Sequence, residues 1–447
     1  MQRILTFAFL LFVFPSCVEN TADESEVSSV SDEELLDRVQ KESFNYFWEG
    51  GDIYSGAAPE RIHMDNIYPS NDSDVVTIGG TGFGIMATIA AINREFISRE
   101  QGLERLQKLT DFLEKADRFH GAWPHWLIGK TGKTKPFSRD DDGGDLVETA
   151  FLAQGLITAR QFFKNGSDTE KVLANRMDKL WKEIDWSWYT KGEDVLYWHW
   201  SPKYEWQKNF DVRGYNECLI MYILAAASPT HPVSADVYYK GFLMDGKMAT
   251  DREFYGIPTE VNHYESNDMA VGPMFWAHYS FLGLDPHQLK DKYVDYWKAT
   301  QNHALIQLEH CKRNPYGYKG YSAECWGLTS SYSMTGYAGH NPQEDLGVIS
   351  PTAALSSFPY TPNASMAFLK HMYSDRKDLI GKYGPYDAFS DQSNWHLPRY
   401  LAIDQLPIPV MIENYRSGLL WDLFMSAPEI QEGLDKLEMS YRKVPTI

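Results

Sequence analysis

Apolar positions recur with helical spacing along most of the chain, in pairs of segments separated by Gly, Pro, Asn and Asp. Ser31-Asp32-Glu33-Glu34 reads as a capping box that opens a helix running to about Trp48. The pattern then predicts one hairpin from 83–96 and 103–116 and a second from 146–163 and 169–184. Further helices are expected at 212–227, 235–244, 269–282, 286–310, 351–356 and 363–373, with a last pair at 408–425 and 428–441. Short strands fit only near 195–200, and no strand–helix alternation argues for a parallel sheet. Roughly a dozen helices, without a Pro/Gly/Ser-rich linker after Ser31, predict an all-α fold. The expected architecture is an (α/α)6 barrel, a toroid of inner and outer helices, in preference to two domains divided near residue 230.

The N-terminus departs from this pattern. Met1-Gln2-Arg3, an apolar run over 4–14 and Pro15-Ser16-Cys17 make a basic start, a short hydrophobic stretch and a small residue before a cysteine. The run is too short to span a bilayer. Residues 1–16 are therefore expected to be a lipoprotein signal peptide, Cys17 the lipidated residue and 17–31 an acidic flexible tether, leaving 32–447 as the barrel. The tether resembles those of exported Bacteroidetes lipoproteins, which implies the bacterial outer membrane, facing the periplasm or the cell surface. A formal charge of −19 excludes nucleic acid as a partner. Membrane contact is expected only through the lipid anchor, and the chain is expected to be a monomer. Cys218, Cys311 and Cys325 are expected as buried free thiols, with a Cys311–Cys325 disulfide as the alternative in an exported chain; neither CxxC nor His-x-x-x-His spacing suggests a metal site, and no metal and no cofactor are expected.

The stretch 138–150 (Ser-Arg-Asp-Asp-Asp-Gly-Gly-Asp-Leu-Val-Glu-Thr-Ala) concentrates candidate chemistry at the mouth of a helix. If helical geometry reaches that far, Asp141, Asp145 and Glu148 share one face at i, i+4 and i+7. Crowded carboxylates raise at least one pKa and leave a proton donor beside an ionised base, which is the equipment of glycoside hydrolysis. A solvated acidic cap is the plain alternative. The EF-hand ligand order is absent, and the glycines disrupt the helix that an Asp-Asp-x-x-Asp diphosphate site would need. Long loops meanwhile hold aromatics that no helical stripe explains, among them Trp123-Pro124-His125-Trp126, 197–200, 316–321 and Cys325-Trp326. Flat rings beside carboxylates suit pyranose sugars, whose C–H faces stack and whose hydroxyls need acceptors.

Five runs carry a resemblance: 112–126 (ending Gly-Ala-Trp-Pro-His-Trp), 141–154, 213–217 (Arg-Gly-Tyr-Asn-Glu), 350–354 (Ser-Pro-Thr-Ala-Ala) and 411–421 (Met-Ile-Glu-Asn-Tyr-Arg-Ser-Gly-Leu-Leu-Trp). From about residue 32 onward the chain resembles the bacterial glycoamylase-like domain proteins of glycoside hydrolase family 144. The resemblance implies an (α/α)6 barrel acting on β-1,2-glucan with inversion at the anomeric carbon, and carries the catalytic acids onto Asp141, Asp145, Glu148 and Glu217. Glu217 also stands near the start of an apolar helix, where desolvation can hold it protonated; a salt bridge to Arg213 is the alternative. Glu217 is expected to face the 141–148 cluster across a cleft, with acid and base unassigned. Sugar contacts are expected from Trp123, His125, Trp126, Arg213 and Tyr215. Glu265, Glu324, Trp326, Tyr415 and Arg416 complete that set. A glycan-binding lipoprotein without catalysis, or a hydrolase of another β-glucan linkage, would keep the aromatics; a polysaccharide lyase would need a more basic cleft.

Overall fold

Two kinds of helix alternate along the chain, and burial separates them. The computed structural model describes residues 30–69, 72–263 and 271–446, and from Asp32 onward these form one unit. Helices α1 (Asp32–Trp48), α3 (Arg99–Leu113) and α5 (Asp168–Lys182) are amphipathic, burying one stripe and showing the other to water. Between them, α2 (Ile78–Asn93), α4 (Leu146–Phe163) and α6 (Leu219–Ala227) are apolar and buried almost all round. The second half repeats the alternation with shorter pieces. A π-helical segment (Val237–Phe242) precedes inner 3-10 turns (Met274–Ala277 and Tyr279–Phe281), followed by α7 (Tyr296–Arg313), α8 (Pro351–Leu355) and α9 (Pro362–Ser374). Then come α10 (Ala402–Gln405) and α11 (Pro407–Ser417), and finally α12 (Leu419–Met425) and α13 (Pro428–Lys436).

Inner α2 packs on α4, α4 on α6, and α11 returns to α2 and packs on α8; outside them α1 and α3 pack on α2 and α5 on α4, while α7 packs on the Met274–Ala277 turn and α9 on α8. This is the expected (α/α)6 barrel. Helices α12 and α13 pack against α4 and α6. Among the described residues the strands are short and every strand pairing is antiparallel. They tie down the loops, as Gly144–Asp145 does with His199–Trp200, and Arg61–His63 with Arg399–Leu401.

Four expected helices differ. The 212–227 helix starts only at Leu219, since Gly214 has φ of +73° and the segment before it is extended. The 269–282 helix is two 3-10 turns within the described residues. The 286–310 helix starts at Tyr296: the Asp291 carboxylate accepts the Tyr293 and Val294 N–H groups in a turn, and Asp295 caps the helix. The 408–425 helix breaks into α11 and α12 at Gly418, whose φ is +71°. Cys218, Cys311 and Cys325 are buried free thiols.

Candidate active site

Helix α4 begins where it does because Asp145 caps it, its Oδ1 accepting the Glu148 N–H at 2.9 Å. That cap aims Glu148 along the inner wall. Gly79, at the start of α2, donates its N–H to Glu148 Oε2 at 2.7 Å, and Thr77 Oγ1 lies 3.3 Å from the same atom. A Cβ on Gly79 would fall 2.6 Å from that oxygen, so a residue without a side chain is what lets the carboxylate approach. Asp145 Oδ2 accepts two more bonds, from His125 Nδ1 at 2.8 Å and Trp198 Nε1 at 3.0 Å. His125 Nε2 points at Glu148 Oε1, 4.0 Å away.

The helical face expected to join Asp141 to Asp145 and Glu148 does not reach Asp141, which sits in a turn closed by its N–H to the Ser138 carbonyl. Its Oδ2 faces Lys208 Nζ at 3.3 Å, while Oδ1 is buried without a partner. Glu217 lies just ahead of α6, and its carbonyl accepts the Ser280 hydroxyl. The expected alternative partner, Arg213, is instead bound to Asp211 at 2.5 Å.

Electrostatics then separate the carboxyls. Burial opposes ionisation of Asp145, but the hydrogen bond and charge of His125, with the Glu148 N–H, hold it below its ordinary value. Burial pushes Glu148 up to about 7, His125 opposing and Asp145 reinforcing the shift. Glu217 also reaches about 7, through burial and then the charges of Glu148 and Asp145, partly offset by its own backbone hydrogen bond. Asp141 is raised by burial and by Asp145. Burial disfavours the imidazolium of His125, yet Glu148, Asp145 and Asp141 together raise it to about 10. His125, Asp141 and Asp145 offer donor atoms within 4.8 Å of one another, and a divalent ion there would have to displace the His125 proton and compete with Lys208.

A cavity of about 320 Å³ joins these parts. Glu148 and Glu217 line it from two separate chain segments, with His125, Trp126 and Trp198 beside them. Asp141 and Asp145 do not line it; Asp145 acts through His125 and the α4 cap. Sequence reasoning missed Glu60, Arg61 and Phe137, which also face the cavity, as do Tyr279, Tyr332 and Tyr337. Phe137 carries a signal of its own, a half-exposed ring 4.3 Å from His125 and 4.8 Å from Trp126. Glu60 and Arg61 carry none, because they arrive from a short loop strand paired with 399–401.

Several expected sugar contacts lie elsewhere. Trp123 is fully buried, its Nε1 donating to the Leu113 carbonyl and its ring 4.1 Å from the Arg118 guanidinium, so no face is left for a sugar. Trp326 is enclosed in a second core with Cys325 and Phe358. Arg416 is held by Glu33, Asp37 and Gln40 of α1, and Tyr415 packs on Phe358. Tyr215 is buried against His263 and Arg213 is tied to Asp211 and the Lys240 carbonyl; neither lines the cavity. Glu324 is exposed, also away from it. Glu265 and Cys17 lie outside the described residues.

Three similarities accompany this geometry. The Glycoamylase family model, described as "Putative glucoamylase", matches residues 209–428. An endo-β-1,2-glucanase from Chitinophaga pinensis, solved with sophorotriose and glucose, is 58% identical with a TM-score of 0.91, covering 92% of this chain and 99% of that one. The exo β-1,2-glucooligosaccharide sophorohydrolase (non-reducing end) of Parabacteroides distasonis is 44% identical over 442 residues and 94% of this chain, which spans 60% of that relative's length.

Proposed function

The chain belongs to the glycoamylase-like family of glycoside hydrolases, and on that premise we propose that it hydrolyses β-1,2-glucan to sophoro-oligosaccharides with inversion at the anomeric carbon. The observation that carries the reading is the pair Glu148 and Glu217: two carboxyls from separate segments in one aromatic-lined cavity, both raised to about 7. Glu217 is the general acid. Among the groups that shift it none is cationic, so it keeps its proton until the glycosidic oxygen accepts it. Glu148 is the base, since the Gly79 N–H and the facing His125 imidazolium favour its anion as it activates water. Trp126, Trp198 and Phe137 supply stacking faces for glucosyl rings.

Cleavage within the chain of the glucan is favoured over release from one end, because the endo-acting relative is 58% identical and the exo-acting one 44%. A lipid on Cys17 holds the enzyme, as a monomer, at the bacterial outer membrane; the support is the short apolar stretch that ends at that cysteine. Reducing-sugar release from linear β-1,2-glucan, with product sizes resolved by chromatography, tests the activity. Mixed lengths from the start indicate endo cleavage, and sophorose alone indicates exo cleavage. Tight binding of the glucan without release would leave a glycan-binding protein, and release only from another β-glucan would change the linkage.

A further inference from the structure

A second pair of carboxyls lies beside the cavity and takes no part in the chemistry above. Asp404, on α10, follows Leu401 and Ile403, which line the cavity; it is 2% exposed, and Asp387 is 4% exposed. Each of the two carboxyls acts on the ionisation of the other. Neither Asp404 oxygen nor Asp387 Oδ1 meets a donor, while Asp387 Oδ2 accepts the Tyr332 N–H at 2.8 Å. Tyr332 belongs to the hairpin of Ser330–Ser333 and Gly336–Gly339, in which it stands opposite Tyr337. Both tyrosines line the cavity, the Tyr337 ring remaining 55% exposed.

Two interacting carboxylates cannot both be buried and ionised without a proton or a cation to offset their charge. Glu60 is the other acidic group acting on Asp404, and Arg61 lies 3.7 Å from it. Arg399 is taken by Asp65 at 2.8 Å, and His63 by the Tyr332 hydroxyl and the Ile67 carbonyl. The remaining titratable groups facing this corner are the phenols of Tyr279, Tyr332 and Tyr337, and burial raises the first two.

We infer that Asp404 stays protonated and donates to the Asp387 carboxylate, and that this buried pair is the peg seating the 330–339 hairpin over the cavity, so that both aspartates are positioning residues for sugar binding. The inference rests on reading the cavity as the sugar site. Burial raises Asp387 to about 6 and, with the charge of Asp387 and their shared hydrogen bond, raises Asp404 well above its ordinary value. The proton therefore resides on Asp404. Freed from Asp387, the Tyr332 N–H would lose its acceptor, and the wall carrying Tyr332 and Tyr337 would lose its fixed position.

The test compares Asp404→Asn, which retains a donor toward Asp387, with Asp404→Ala, which leaves that carboxylate bare. Asp404→Ala is expected to raise KM for sophoro-oligosaccharides about tenfold with kcat changed less than about threefold, the signature of lost binding and not lost chemistry. Hydrogen exchange of 330–339 should quicken in the same variant, and Asp404→Asn should restore all three measures. A fall in kcat at constant KM, equal in both variants, would mean that Asp404 handles a proton of the reaction itself and would overturn the inference. Unchanged exchange and unchanged KM in Asp404→Ala would overturn it too. If Asp404→Ala does not fold, Asp404→Asn decides: kcat and KM within about twofold of wild type uphold the inference, and a larger loss of kcat ends it. Exchange, and calorimetric binding of sophorotriose, need no turnover. Absence of hydrolysis with the expected exchange change would therefore count against the hydrolase reading alone.

Discussion

Glu148 and Glu217 reach about 7 by different routes, and the difference assigns their work. Burial of Glu148 is opposed by His125 and the Gly79 N–H, whereas Glu217 is shifted by burial and by like charges. Replacing either by Gln should lower kcat by at least about a hundredfold. The wild-type rate should follow a narrow bell centred near 7, falling on the acid side as Glu148 gains a proton and on the alkaline side as Glu217 loses one; its limbs belong to the coupled pair. A broad plateau from pH 5 to 9 would contradict the pairing. Glu217 has a second consequence. Its folded pKa exceeds that of the unfolded chain, so the native state holds more protons between the two values and stability falls as pH rises from about 4.5 to about 7. Above that window the buried carboxylate costs on the order of 3 kcal/mol. Glu217→Gln should therefore melt like wild type near pH 4 and several degrees higher at pH 8, as calorimetry at both pH values would read. The acidic run was legible as candidate chemistry because clustered carboxylates need a reason, and Glu217 through the family resemblance and its place near the start of an apolar helix. Trp123 and Trp126 stand three residues apart in one loop, and nothing local tells which ring the core will take: Trp126 alternates onto a strand facing the cavity, while Trp123 closes over Arg118.

Elements hold these residues at fixed distances, and the tightest junction is that of α2 with α4. A Cβ on Gly82 would lie 2.3 Å from the Phe151 carbonyl, and one on Gly155 would lie 2.4 Å from the Gly82 carbonyl. Both obstacles are backbone, which cannot turn aside. Gly82→Ala should cost roughly 1–3 kcal/mol and depress kcat, because α2 carries the Gly79 donor and α4 carries its acceptor Glu148. Thermal melting together with turnover checks this, and a variant with wild-type values in both would show that the helices can part freely. The bounds of α4 were readable from the sequence since its apolar run ends at a capping aspartate. Those of α6 and α7 were not. Residues 212–218 and 286–295 adjoin apolar helical runs and read as part of them, and only the Gly214 backbone and the Asp291 turn, local features with weak patterns, withdraw them. That withdrawal leaves Glu217 at a helix entrance, against the cavity.

At the scale of the whole molecule the barrel was legible because inner and outer helices bury different shares of their surface, so alternating apolar and amphipathic segments encode a toroid. The loops that shape the cavity were far less so, since Glu60, Tyr332 and Ile403 meet only after the ring closes. Cys17 belongs to the same scale: Cys17→Ser should move the protein from the membrane to the soluble fraction or stall its processing, and unchanged fractionation without acyl mass would remove the anchor. The stereochemistry of the reaction tests the assembly as a whole. The two carboxyls proposed to act come from α4 and from the entrance of α6, and inversion requires a water between one of them and the sugar. An inverting pair is spaced roughly 6.5–9.5 Å apart for that reason, whereas a retaining pair stands closer and forms a covalent glycosyl-enzyme. On the proposed roles, water activated by Glu148 attacks the face opposite the bond that Glu217 protonates, so a β-linked glucan is expected to yield the α-anomer first. Proton NMR in the first minutes, before mutarotation equilibrates the product, reads the outcome directly. Initial β-anomer would require a nucleophile, and since Glu148 would then have to bond to the sugar, its role as base would be lost together with the inverting mechanism.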